Sequence, residues 1–296
     1  EQLAEIGLEA DILLEPMRRD SGPAIAAGAV FAQSRDGDAI VLALAADHVV
    51  RDTAAFVAAC RQGLAAAEAG HIVTFGVTPE RAATEYGYIN PAETIAGEVR
   101  GVATFVEKPD LTTAAEYVRA GYLWNSGNFM FRAAVLLDEY RNVDAASVQA
   151  VTDSVIGAGR DLGFVKLDES AFGSASAISI DYAVMEHARD VVVMEAPFHW
   201  DDVGSWQAIA RLRGTDEQGN TILAQHVGLN TSGRMWRSCT TRSFMRMNIA
   251  ARCTGSSSVS AALYRRSYSS LRQRLVLRPC HLLALVANSH DTYWSM

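Results

Sequence analysis

Lysine is nearly absent from this 296-residue chain: Lys108 and Lys166 are the only two among 26 basic residues. A charge this scarce is conspicuous where it ends an apolar run, and the bias also marks a gene that favours arginine codons. Cysteine is scarce too. Cys60, Cys239, Cys253 and Cys280 show no CxxC spacing, which excludes the common zinc site and a disulfide framework. No apolar run reaches the roughly 18 residues of a membrane-spanning helix. The opening Glu1-Gln2-Leu3-Ala4-Glu5 lacks the basic and apolar regions of a signal peptide, so a reducing cytoplasm is the expected compartment. A starting methionine is missing as well, and the chain is expected to be a fragment. Internal repeats and low-complexity stretches are absent before residue 225.

What is present suits a globular core: 49% of residues are hydrophobic, enough for one large α/β domain or two smaller ones. The formal charge of −8 conceals a sharp break. Residues 226–296 hold ten arginines against one acid, Asp291, a net of +9; the sixteen basic and thirty-three acidic residues before them make −17. Two explanations are open. The segment is a basic arm for nucleic acid or an acidic partner, or it is the product of a slipped reading frame in a G- and C-rich gene, which yields Arg, Ser, Cys and Ala with few acids. In the second case residues 225–296 are an aberrant or disordered tail without function, and the folded domain is 1–224.

The chain is organised around Ala39-Ile40-Val41-Leu42-Ala43-Leu44-Ala45-Ala46, which stops at Asp47-His48. A continuous apolar run predicts a strand buried on both faces. A helix from Ala54 to Ala69, closed by Gly70, and a strand over His71–Val77 complete a strand–helix–strand pattern that predicts a parallel unit. Further strands are predicted at Asp11–Leu14, Val102–Val106 and Val191–Glu195. Helices are predicted at 1–8, Ala24–Gln33, Thr112–Ala120, Ala133–Tyr140 with a less definite continuation to Gly159, Ser179–His187 and Gln207–Leu212. Thr84–Ile89 reads as a turn and short strand, Trp124-Asn125-Ser126-Gly127 as an interruption before Phe129-Met130-Phe131, Trp200–Trp206 as a loop, and Asp216–Asn220 as a turn. The fold class is α/β, a Rossmann-like, mostly parallel mixed sheet flanked by helices.

Ligands of open α/β sheets sit beyond the carboxyl ends of the strands, which is where Asp47 falls. Asp47 is either a ligand group or a plain helix cap. With Asp201-Asp202 it would make an oxygen-rich site for Mg²⁺, a cation usually held by one or two carboxylates and substrate phosphates. Lys108, also at a strand end, could offset charge in a phosphate reaction. Glu107 and Asn125 suit sugar hydroxyls. Trp124 and Tyr88 either stack on a ligand or pack in the core. Gly87 and Gly127 either admit a ligand close to the backbone or form turns. Asp181 reads most simply as a first-turn acid of a helix and Cys60 as a buried filler; His48 could ligate or shuttle a proton, and reads most simply as an orienting hydrogen-bond group.

Taken together, the motifs resemble those of the sugar-phosphate nucleotidyltransferase family, and within it the mannose-1-phosphate guanylyltransferase branch. The matching pieces run in order over residues 1 to about 224: Glu15-Pro16 through Arg19-Asp20-Ser21-Gly22-Pro23-Ala24-Ile25, Ala46-Asp47-His48, Glu85-Tyr86-Gly87-Tyr88-Ile89, Phe105-Val106-Glu107-Lys108-Pro109, Trp124-Asn125-Ser126-Gly127, Ser179-Ile180-Asp181-Tyr182-Ala183-Val184-Met185-Glu186, and Trp200 through Trp206. The resemblance implies transfer of GMP from GTP to mannose 1-phosphate. It implies Mg²⁺ on Asp47 and Asp202, and Lys108 on the sugar phosphate. Mannose would lie among Gly87, Tyr88, Glu107 and Asn125, and guanine against Arg19, Asp20, Ser21, Pro23 and Ala24. No membrane or nucleic-acid partner is expected, and homodimerisation is open. The sequence departs from the family at Asp20, Ser21 and Ala45, where Asn, Thr and Pro are usual. The family's glycine-rich phosphate loop would precede residue 1, and a β-helix or isomerase domain would follow Asn220. The chain as written is therefore expected to be inactive or nearly so. Two other functions compete: a non-catalytic sugar-nucleotide-binding module, and nucleic-acid binding through the arginine-rich tail.

Overall fold

Every residue of Ile40–Ala45 is buried, and the side chains divide by period two between opposite faces of a sheet. Val41 and Ala43 join a core with Phe131, Leu136, Val151 and Val193; Ile40, Leu42 and Leu44 join a second core with Phe56, Cys60, Phe75 and Trp200. A strand covered on both faces has no use for polar residues, which explains the unbroken run. The computed structural model describes residues 10–45 and 47–203, Ala208, Leu212 and three later strand segments.

In chain order the elements are β1 (Ile12–Leu14), α1 (Ser21–Arg35), β2 (Ile40–Ala45), β3 (His48–Val50), α2 (Thr53–Glu68), β4 (Ile72–Val77), β5 (Tyr88–Ala96), β6 (Val99–Val106), α3 (Leu111–Arg119), β7 (Leu123–Arg132), α4 (Ala133–Ile156), β8 (Gly159–Asp161), β9 (Phe164–Lys166), α5 (Glu169–Phe172), a π-helical turn (Asp181–Met185), β10 (Val191–Glu195), β11 (Trp200–Asp202), β12 (Thr221–Ile222), β13 (Met235–Trp236) and β14 (Leu282–Ala287). Seven strands form the main sheet in the order β14-β2-β7-β4-β10-β6-β5. The pairings give β14, β2, β4, β10 and β5 one direction and set β7 and β6 against them. Helices α1 and α4 lie together on one face and α2 on the other.

The predicted strand–helix–strand unit is present as β2-α2-β4, but its strands are not neighbours: β7 runs antiparallel between them. β7 also corrects the expected break at Trp124–Gly127. These residues belong to one ten-residue strand, with Asn125, Ser126 and Asn128 buried in its middle. Trp200–Asp202 is likewise a strand, not a loop, and pairs with β3.

Acidic residues start the helices. Asp20, Asp52, Asp110 and Asp168 each accept a backbone N–H in the first turn of α1, α2, α3 and α5. The cap of α2 is Asp52, through Ala54 and Ala55, so Asp47 is not needed for that role. The indefinite stretch after Tyr140 is two helices in line. Asp144 leaves helical geometry and caps the second, accepting from Ser147 N at 2.9 Å and Ser147 Oγ at 2.6 Å. The β8–β9 hairpin, which pairs with β1, has no counterpart among the elements expected from sequence.

Gly76 in β4 shows how closely this sheet is packed. A methyl there would lie 2.7 Å from both Leu123 Cδ1 and Val193 Cγ2, side chains that are themselves buried. Gly76→Ala is expected to destabilise the domain by about 1–3 kcal/mol through overpacking, read as a lower midpoint in urea with an unchanged slope.

Predicted elements at 1–8 and 216–220, together with Ala46, Gly204, Ser205 and Trp206, lie outside the described residues. Of the predicted helix at 207–212, only Ala208 and Leu212 are described, both helical. Most of 225–296 is also outside them; β14 from that segment runs parallel to β2. No helix among the described residues is long and apolar enough to cross a membrane.

Candidate active site

The buried run of β2 ends at Ala45, and the chain turns at Asp47 into β3. β3 pairs antiparallel with β11, which sets Asp202 opposite His48 and Asp201 opposite Val49. Directly opposed residues of an antiparallel pair face the same side. Val203 N donates to Asp47 O at 3.0 Å, closing the end of this ribbon. As a result one ligand atom each from Asp47, His48 and Asp202 lies within 4.8 Å of the others. Asp202 is buried, while Asp47 and His48 are half-buried. Two carboxylates and an imidazole converging this closely fit a divalent cation, which offsets the repulsion of the carboxylates and accepts lone pairs from oxygen and nitrogen. His48, for which the sequence left ligation open beside an orienting hydrogen bond, stands with the two carboxylates here.

A second group of polar side chains lies along β7, β6 and the turn before β5. Asn125 N donates to Gly87 O at 2.8 Å, which brings the Gly87 backbone against β7. The position of a Cβ on Gly87 is 2.4 Å from Glu107 Oε2 and 3.3 Å from the Asn125 Cβ, so a side chain here would displace the Glu107 carboxylate. Glu107 ends β6 with a side chain only 7% exposed, and Lys108 Nζ sits 3.4 Å from its Oε1. Lys108 is in the left-handed region at φ 48°, an unfavourable conformation for a residue with a side chain. Burial opposes the charge on Lys108, but Glu107, with Tyr182 and Asp181 behind it, outweighs this and holds the ammonium above the ordinary lysine range. It is therefore a fixed cation at neutral pH. Burial, followed by the Glu107 charge, pushes the Tyr182 phenol up.

β7 joins the two groups. Gly127 N donates to Asn125 Oδ1 at 3.1 Å, and the Cβ position of Gly127 is 3.4 Å from His48 Cε1. At φ 67° the Gly127 backbone takes a shape natural to glycine while letting His48 pack against it. The cation cluster and the Gly87–Glu107–Asn125 group are thus neighbours along one strand.

The entry to α1 joins from a third side. Ser21 Oγ accepts from Ile180 N at 3.0 Å, Gly22 N donates to Ile178 O at 3.0 Å, and the Arg19 guanidinium donates to Gly173 O. Ser21 and Pro23 are buried by these contacts, whereas Asp20 remains exposed and Ala24 half-buried. Arg19 and Ser21 therefore shape the entry to α1 through their contacts with Gly173 and Ile180.

Of the two alternatives for Tyr88 and Trp124, the structure shows core packing. Tyr88 is fully buried; its hydroxyl accepts from Ala83 N at 2.9 Å and its ring packs on Tyr117. Trp124 is also buried, edge-on to Tyr86, which in turn meets Trp200, which meets His48, at ring separations of 5.1 Å in each step. These aromatics wall the site from behind. Strand alternation turns Asp201 away from the cation cluster, to where His199 Nε2 stands 3.4 Å from its carboxylate.

Residues 1–219 match the nucleotidyl transferase family, and the chain belongs to it. The relatives carry more particular names. The Xanthan biosynthesis protein XanB of Xanthomonas campestris pv. campestris is 46% identical over 222 residues, covering 74% of this chain and 47% of that protein. Mannose-1-phosphate guanylyltransferase of Escherichia coli K12 is 43% identical over 228 residues, covering 74% and 48%. A crystal structure from Thermus thermophilus, described as a mannose-1-phosphate geranyltransferase, shares 32% identity at a TM-score of 0.66 and covers 82% of this chain and 77% of that one. The chain spans about half the length of the curated relatives it matches.

Proposed function

We propose that this domain transfers GMP from GTP to mannose 1-phosphate, giving GDP-mannose and pyrophosphate. The observation that carries the reading is the junction at β7, where a cation cluster and a donor–acceptor pocket with a fixed lysine charge share one strand. The names of the relatives supply the substrate pair. A phosphate oxygen of mannose 1-phosphate attacks the α-phosphorus of GTP. The bond from that phosphorus to the bridging oxygen breaks, and pyrophosphate leaves with the electron pair. The attacking oxygen is already ionised, so the chemistry needs positioning and charge neutralisation, with no protein nucleophile.

Asp47 and Asp202, with His48 beside them, would hold Mg²⁺; when bound, the ion withdraws charge from the phosphates in the transition state. Lys108 meets the phosphate of the sugar. Glu107 accepts from sugar hydroxyls, Asn125 donates to one, and the close approach of the Gly87 backbone leaves the ring room. The segment from Arg19 to Ala24, which enters α1, would lie against guanine. In this reading the transferase domain is 1–224, and its use of GTP suits the cytoplasm.

Calorimetry tests the reading on this chain: GDP-mannose binds in the presence of Mg²⁺, and GDP-glucose binds at least tenfold more weakly. Turnover is tested with a relative's glycine-rich loop joined ahead of Glu1. Pyrophosphate release requiring GTP, mannose 1-phosphate and Mg²⁺ is the expected result. Binding without release from that protein points instead to a non-catalytic sugar-nucleotide module, and no binding of either kind sinks both readings.

A further inference from the structure

Asn125 has four hydrogen-bonding positions on its side chain, two on oxygen and two on nitrogen. Three are occupied. Oδ1 accepts from Thr74 Oγ1 at 2.9 Å and from Gly127 N at 3.1 Å, and Nδ2 donates to Asp181 Oδ1 at 2.8 Å. An amide's orientation is ordinarily ambiguous because its oxygen and nitrogen are nearly the same size. Here two partners remove the ambiguity: the Gly127 N–H can only donate, and an ionised Asp181 can only accept. A flipped amide would set N–H against N–H and carbonyl oxygen against carboxylate. Among the described residues, the single position left on Asn125 is one N–H.

The same turn holds the site elsewhere. Asp181 opens the π-helical turn, whose widened bond runs from Glu186 N to Asp181 O at 3.0 Å. Glu186 Oε1 accepts from Glu107 N at 3.1 Å, and Asp181 adds to the field that keeps Lys108 charged. Single-turn π segments recur at functional sites because the extra residue redirects the side chains around it.

We propose that Asp181 is a positioning residue, whose carboxylate locks the Asn125 amide so that Asn125 acts toward a bound sugar phosphate only as a hydrogen-bond donor. The proposal rests on the reading of Asn125 as a ligand contact. It gives Asp181 a role beyond that of a first-turn helix acid. It also states what Asn125 can recognise: an oxygen with a lone pair to give, and not a group that must itself donate.

The test uses this chain with asparagine labelled in ¹⁵N, as the wild type and as Asp181→Ala and Asp181→Asn. In the ligand-free wild type, one Asn125 side-chain proton resonates downfield and exchanges slowly. In Asp181→Ala that proton loses at least tenfold of its protection and moves upfield. In Asp181→Asn, which retains a neutral acceptor, most of both is recovered. Mannose 1-phosphate affinity, measured by calorimetry, falls about tenfold in Asp181→Ala, as for loss of a charge-assisted hydrogen bond, and returns to within about threefold in Asp181→Asn. GTP affinity stays within twofold in both variants. An Asn125 resonance unmoved by Asp181→Ala overturns the proposal. So does an equal loss of both ligands accompanied by unfolding in both variants, which assigns Asp181 to stability alone. Failure of the wild type to bind mannose 1-phosphate sinks the functional reading, while the ligand-free resonance still decides whether Asp181 orients Asn125.

Discussion

Asp202→Asn is expected to remove divalent-cation binding from this domain and, in a form carrying the phosphate loop, to lower pyrophosphate release on the order of 10³-fold. The cluster has two carboxylates and one imidazole within 4.8 Å of one another, so the substitution halves its negative charge while leaving its shape almost unchanged. A hard cation gains little from a neutral amide in place of a carboxylate. Mn²⁺ titration followed by electron paramagnetic resonance checks the first effect without any turnover. The wild type, and not the Asn variant, should gain stability on adding Mn²⁺. Unchanged Mn²⁺ affinity in both Asp202→Asn and Asp47→Asn would place the cation elsewhere.

Lys108→Ala should have the next largest effect, a loss of about 10²-fold in affinity for mannose 1-phosphate, because the site then meets a phosphate dianion without its fixed positive charge. The conformation of Lys108 permits a control. At φ 48° any side chain is strained, by about 1 kcal/mol or more, and glycine is not. Lys108→Gly should therefore lose ligand affinity to the same degree as Lys108→Ala, yet unfold at a higher urea concentration than Lys108→Ala. The two readouts separate: affinity follows the charge and stability follows the backbone. Calorimetry with mannose 1-phosphate and with mannose, compared across the two variants, also shows whether the loss depends on the phosphate. A loss that is the same for mannose would mean that Lys108 serves Glu107, its partner at 3.4 Å, more than the ligand.

Much of this site is legible in the sequence, because several of its residues stand at breaks in strong patterns. The apolar run of β2 can end only at Asp47, and Lys108 is prominent because lysine is so rare. The family motifs then supply Asp202, Glu107 and Asn125. What the sequence hides is the setting of polar residues inside apolar elements. Asn125, Ser126 and Asn128 look like an interruption because an isolated sequence shows no partner for them. In the sheet, Asn125 bonds with Thr74, Asp181 and Gly127, and Asn128 Oδ1 accepts from Ala45 N at 3.4 Å, so the strand continues across them with a shift of register against β4. Tyr88 and Trp124 mislead for the converse reason. Aromatic rings beside motif residues suit both a ligand and a core, and strand alternation together with the neighbouring rings sends both inward.

By itself the sequence determined most of the strand–helix order, the two-sided burial of β2 and the chemical types gathered in the site. Each follows from local pattern: period, caps and charge. Tertiary structure alone decided that β7 lies between β2 and β4, that β3 and β11 pair so that His48 joins Asp47 and Asp202, and that Asp181 reaches Asn125. These depend on contacts across 56 residues for Asp181 and Asn125, and between β3 and β11 from distant parts of the described chain. Such contacts form only when buried polar groups find their partners in the assembled sheet, because leaving them unpaired in a dry core costs more than the segments gain by packing alone.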